Sequence, residues 1–135
     1  MTRQLLFAAG AALFALSVYV QHNDPDPVVW MLIYGAACLI CVAVVVGKRA
    51  LVPAAVVGVV ALIWASTLAS SAVAWLRSDH EAVAFTMKTG DAGEEEAREC
   101  GGLLLVAAFM GAAAGWSSGS AGVPRGGRAQ ATKEP

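Results

Sequence analysis

The chain has 135 residues, of which 58% are apolar and 14% charged, with a mean hydropathy of +0.65. An ordinary soluble domain carries roughly 45–50% apolar and about 25% charged residues, so that class is excluded and an integral membrane protein is expected. Nine Lys and Arg against ten Asp and Glu leave a net charge of −1; without a basic excess to neutralise phosphates, nucleic acid is excluded as a partner and the lipid bilayer takes its place.

Uncharged stretches run over residues 5–20, 28–47, 51–76 and 101–124. A helix rises about 1.5 Å per residue, so crossing ~30 Å of hydrocarbon takes about 20 apolar residues. The second and third stretches meet that length outright. The first meets it once Gln4 and Gln21 or His22 extend it to the interfaces. The fourth is strongly apolar only over 103–116 and needs helical residues before it. Asp91 and Glu94 supply them, standing as N-cap and N3 acid of a capping box. Glu94, Glu95 and Glu96 then fall in a first turn, where the helix dipole favours carboxylates. The apolar runs do not alternate with period two, and a bilayer tolerates no open sheet edge. The reading is all-α: a polytopic membrane protein with a four-transmembrane-helix bundle over 1–116. Its helices are expected over about 4–22, 27–47, 51–76 and 92–116, followed by a Gly-, Ser- and Ala-rich tail over 117–135 expected to be disordered.

Arg3, Lys48, Arg49, Arg125, Arg128 and Lys133 fall on one side of these spans, and Arg77, Lys88 and Arg98 on the other. That asymmetry puts both termini and the tail in the cytoplasm. Tyr19, Trp30, Tyr34 and Trp75 then lie near outer helix ends and Trp116 near an inner one, as an aromatic belt requires, while mid-helix Trp64 is expected to pack inside the bundle. Ala15-Leu16-Ser17 also resembles the end of a signal peptide, but Tyr19 and Val20 continue the apolar run past it, which favours a retained first span.

The most distinctive stretch is Gln21-His22-Asn23-Asp24-Pro25-Asp26-Pro27. As a turn it is mechanically complete. Asp24 precedes a proline, which ends the first helix, and Asp26 can cap the second with Pro27 at its first position. On the same outer face lie His80, Glu95, Arg98 and Glu99. Asn23, Asp24, Asp26, Glu95, Arg98 and Glu99 are therefore the candidate polar cluster, with Arg98 reaching Asp24 or Asp26 as a guanidinium pairs with a carboxylate. No spacing among these residues fixes a metal geometry, and no metal, cofactor or catalytic constellation is assigned.

Val20 to Pro27 as quoted, followed by Trp30 and Tyr34, with Glu95-Glu96-Ala97-Arg98-Glu99 and Gly102 opening the last helix, resembles the transmembrane protein 220 family over residues 5–116. His22 and Cys100 depart from its pattern. The resemblance implies four membrane helices and their topology, and no reaction, the family being one of unknown biochemical activity.

Cys38 and Cys41 fall mid-helix, away from any thiolate-stabilising group, and are read as packing residues. Cys100 is read as a buried free thiol. The four stretches hold no carboxylate to couple proton transport, and Ser66, Thr67, Ser70 and Ser71 are read as hydrogen bonding between helices. Gly111 and Gly115 form a GxxxG pattern, and Ala54, Gly58, Ala61, Ala65 and Ala69 repeat at three- or four-residue spacing, both signs of tight packing. The expected function is a non-enzymatic accessory or scaffold protein, alone, as a homo-oligomer or with a membrane-protein partner. The alternatives are a small transporter or an outer-face binding module for a small ligand, lipid head group or cation.

Overall fold

In the computed structural model, which describes residues 2–24, 26–77 and 92–119, the chain forms four α-helices and, among those residues, no strand. They are α1 (Thr2–Val20), α2 (Pro27–Val45), α3 (Leu51–Arg77) and α4 (Ala92–Gly119). All four are long and apolar enough to cross a membrane. At 19 residues each, α1 and α2 extend about 28 Å, close to the hydrocarbon thickness.

Local chemistry moves the expected ends. α1 stops at Val20 and tightens into a 3-10 turn over Gln21–Asn23, closed by the Asp24 N–H donating to the Gln21 carbonyl at 3.0 Å. Asp24 is extended, with φ −76° and ψ 150°, as a residue before proline should be. Its Oδ1 accepts the Asp26 N–H at 3.1 Å, an Asx turn. Asp26 does stand at the N-cap of α2, yet its side chain makes no capping hydrogen bond. The expected cap is thus corrected: with ψ at 56°, Asp26 leaves the extended geometry from which a cap side chain reaches the second or third N–H.

α2 ends at Val45 rather than 47 because Gly47 turns left-handed at φ +78°. The Lys48 N–H donates to the Ala43 carbonyl at 2.8 Å and the Gly47 N–H to the Val44 carbonyl at 3.1 Å, the paired bonds of a glycine-terminated helix. At the start of α3 the Ala50 N–H donates to Ser117 Oγ at 3.2 Å, and the Ser117 hydroxyl donates to the Ala113 carbonyl at 2.9 Å. Ser117, expected in a disordered tail, is instead 3% exposed and tied into α4, which runs three residues past Trp116. The reason is that an orphan N–H at a buried helix start needs a partner. Residues 120–135, Asp91 of the expected capping box, and His80 lie outside the described residues.

The most extensive helix packing is α3 against α4, followed by α1 against α2. Ala54, Gly58, Ala61 and Ala65 form the buried stripe of α3, and a Cβ added at Gly58 would stand 3.1 Å from Met110 Cβ. α4 presents Leu103, Val106, Met110 and Ala113, all fully buried at three- and four-residue spacing. Gly111 and Gly115 do not share in this: both are exposed, with open space where a Cβ would go. The small residues that let backbones approach are therefore those of α3, because that stripe and not the GxxxG pair faces the partner helix.

α1 meets α4 through rings. Phe109 stands edge-on to Phe7 and Phe14, with centroids 6.3 and 5.4 Å apart. It occupies the space over Gly10, where an added Cβ would come 2.8 Å from its Cδ1. The Arg3 guanidinium lies 3.9 Å over the Trp116 ring, tying the start of α1 to the end of α4.

Cys38 donates to the Ala11 carbonyl at 3.3 Å and Cys100 to the Ala65 carbonyl at 3.6 Å, while Cys41 is fully buried; all three thiols are free. Ser66 and Thr67 correct the expectation of bonds between helices. Both are exposed and donate within α3, to the carbonyls of Ile63 at 2.6 Å and Trp64 at 2.7 Å. On a face turned away from other helices, the nearest acceptor is the residue's own helix. Large apolar side chains such as Leu39, Val52, Leu62 and Leu76 cover the outside, a surface suited to acyl chains.

Candidate functional site: a polar pocket at one end of the bundle

Where α1 ends and α4 begins, the bundle opens into a cavity of about 260 Å³. α1 and the turn after it contribute Ser17, Val20, Gln21 and Asp24; α2 contributes Trp30 and Tyr34; α4 contributes Arg98 and Glu99. The 3-10 turn carries Gln21 and Asp24 round to this side, and one helical turn separates Trp30 from Tyr34, so both rings share a face of α2.

Those rings form the wall. Trp30 stacks on Tyr34 and on Trp64 of α3, with centroids 6.0 and 4.8 Å apart, and Tyr34 stacks on Phe14 at 6.2 Å. Trp30 is 3% and Tyr34 8% exposed, which corrects their placement in an interfacial belt. Both lie on the inward stripe of α2 with Ile33, Ala37 and Cys41. Tyr19, by contrast, is well exposed. Trp64 packs against the core as expected. The glycine at 102 makes room for the wall: a Cβ there would collide with the Tyr34 hydroxyl.

The carboxyl groups of Asp24 and Glu99 and the guanidinium of Arg98 belong to the lining. The charges of Glu95 and Asp24 bear on Glu99, with Arg98 opposing them, and those of Glu99 and Asp24 reach Tyr34. The Ser17 hydroxyl donates to the Leu13 carbonyl at 3.0 Å, which leaves only its lone pairs for the cavity. Gln21 is 9% exposed, and its Oε1 is enclosed without a hydrogen-bond partner among the described residues. The lining thus combines two carboxyl groups, a guanidinium and a hydroxyl with two buried rings.

Of the six residues of the expected cluster, Asp24, Arg98 and Glu99 come together on this cavity. Glu95 sits one helical turn before Glu99, outside the lining, and its charge bears on it. Asp26 is exposed and stands outside the lining; Asn23 contributes backbone to the 3-10 turn. His22 is engaged locally, its Nδ1 2.8 Å from the Tyr19 carbonyl. Among the described residues no group of three or more His, Cys, Asp or Glu is placed to hold a metal ion. Ser17, Gln21, Trp30 and Tyr34 were not expected as site residues. Gln21 opens the distinctive turn stretch and Trp30, Tyr34 and Gly102 belong to the family pattern, but nothing in the sequence joins them to one site.

The architecture defines a polytopic helical membrane protein, four apolar helices with a polar pocket at one end. Residues 13–114 match the family model described as transmembrane family 220, helix, and the chain belongs to that family. No curated protein and no solved structure matches it significantly.

Proposed function

We propose that this protein is a non-enzymatic, multi-pass membrane protein that holds a small polar ligand or lipid head group in the pocket between the α1–α2 turn and α4. The observation that carries the reading is the cavity itself: three charged side chains from two distant parts of the chain share about 260 Å³ with a buried aromatic wall. Native mass spectrometry of the full chain from maltoside micelles tests it. Wild type is expected to retain a small-molecule or single-lipid adduct that Ser17→Leu, which narrows the cavity and removes a polar group from its lining, releases; an adduct held equally by both contradicts the reading.

The pocket is proposed to face outward and both termini the cytoplasm, on the strength of the Lys and Arg asymmetry. In a background with Cys38, Cys41 and Cys100 changed to Ala, a cysteine at position 26 should label from outside and one at 48 only from inside. Labelling of both from one side would refute this topology.

A further inference from the structure

We infer that the end of the bundle opposite the pocket binds an anionic phospholipid, its phosphate held by Arg3, Lys48 and Arg49 around the last turn of α4. This site is independent of the pocket.

Separate parts of the chain bring these cations to one place. The Arg3 guanidinium lies 3.9 Å over the Trp116 ring. On the next residue of α4, Ser117 Oγ accepts the Ala50 N–H at 3.2 Å, which seats the loop carrying Lys48 and Arg49 against the same turn. All three cationic side chains are exposed, while Ala50 and Ser117 are buried. Among the described residues the acids are Asp24, Asp26, Glu94, Glu95, Glu96 and Glu99, which all stand at the other end of the bundle. Helix dipoles largely cancel here, because α1 and α3 start at this end and α2 and α4 finish at it. The Trp116 ring attracts the guanidinium without neutralising it. The side chains therefore set the sign of this end, and it is positive.

Apolar neighbours separate a lipid from a soluble anion. Leu5 and Leu6 follow Arg3 in α1, Val46 precedes Lys48, and Leu51 and Val52 follow Arg49; all of them are exposed. Each cation thus stands at the edge of a surface suited to acyl chains, as the basic sites that hold lipid head groups do. A phosphate that carries acyl chains matches both the charge and the apolar border, whereas a free anion covers only the charge. The topology proposed above turns this end to the cytoplasm, where leaflets carry anionic lipid.

The full chain in maltoside micelles is titrated with phosphatidylglycerol or with zwitterionic phosphatidylcholine of the same chains, following bound lipid by native mass spectrometry and stability by the thermal midpoint. Phosphatidylglycerol should bind more tightly and raise the midpoint, an effect that added salt reduces; inorganic phosphate should not raise it. A cation near the head group contributes about a fivefold factor in affinity. Arg3→Gln should therefore weaken phosphatidylglycerol binding about fivefold and Lys48→Gln combined with Arg49→Gln about twenty-five-fold, with phosphatidylcholine unchanged. Arg77→Gln removes an exposed cation from the opposite end and should bind as wild type does. Midpoints without lipid establish that each variant is folded, and the loop pair, outside any helix, decides alone if Arg3→Gln is not. Equal binding of the two lipids, affinity unchanged in the folded variants, or a loss in Arg77→Gln as large as in the loop pair overturns the proposal. So does inorganic phosphate raising the midpoint as much as phosphatidylglycerol, since the cations would then hold a soluble anion.

Discussion

Phe14→Ala is expected to destabilise the bundle by about 3 kcal/mol, toward the lower end of the range for deleting a buried aromatic side chain. Phe14 is fully buried, stacked on Tyr34 and edge-on to Phe109, so its removal empties the meeting point of α1, α2 and α4. In a bilayer the transfer of apolar surface from water contributes nothing to helix association, because lipid is as apolar as the interior. The cost is therefore lost dispersion contacts, the cavity and two ring pairs. Leu39→Ala, at a side chain 71% exposed to the surroundings, is expected to change stability by less than about 0.5 kcal/mol. Reversible unfolding of the two variants in mixed micelles measures the difference; equal effects would mean that the aromatic cluster does not hold the bundle together.

Gly102→Ala is expected to cost about 1–3 kcal/mol, the range for overpacking a well-filled site. The added methyl would collide with the Tyr34 hydroxyl and come 3.4 Å from its Cζ. Tyr34 cannot swing away freely, because Phe14 and Trp30 stack on it. Since the clash is with the hydroxyl oxygen, Tyr34→Phe in the same chain should restore most of the lost thermal stability. Failure of that rescue would show that Gly102 matters for its backbone rather than for the space it leaves.

The four spans are legible in the sequence because charge is excluded from hydrocarbon, and the gaps between charged residues mark the helices. The turn from Gln21 to Pro27 is legible for a similar reason: proline and Asx chemistry act over a few residues. What the sequence does not reveal is which side of each helix faces in. In a soluble helix the buried side is the apolar one, but here both sides are apolar, and Trp30 and Tyr34 look like Tyr19 although only Tyr19 is well exposed. The same ambiguity makes Gly111 and Gly115 resemble a packing motif while Ala54, Gly58, Ala61 and Ala65 form the contact. Ser66 and Thr67, read as links between helices, bond within α3, whereas Ser117, placed in a tail, caps the start of α3.

For the pocket, Asp24, Arg98 and Glu99 are visible as charges on one side of the membrane, yet Gln21 and Ser17 are not, since an amide and a hydroxyl at a helix end carry no pattern. Likewise Asp26 carries the same side chain as Asp24 only two residues away. Which of them turns inward is decided by the 3-10 turn and the Asx turn, and this is where the account is most exposed.

A double-mutant cycle on unfolding free energy, pairing Arg98→Gln first with Asp24→Asn and then with Asp26→Asn, tests the shared pocket most directly. Coupling of about 0.5–3 kcal/mol between 98 and 24, with additivity between 98 and 26 to within about 0.5 kcal/mol, is the expected result for groups that do and do not share one site. Additivity at both pairs would contradict the account: the α1–α2 turn and the start of α4 would then be independent, and the pocket they enclose would have no energetic existence.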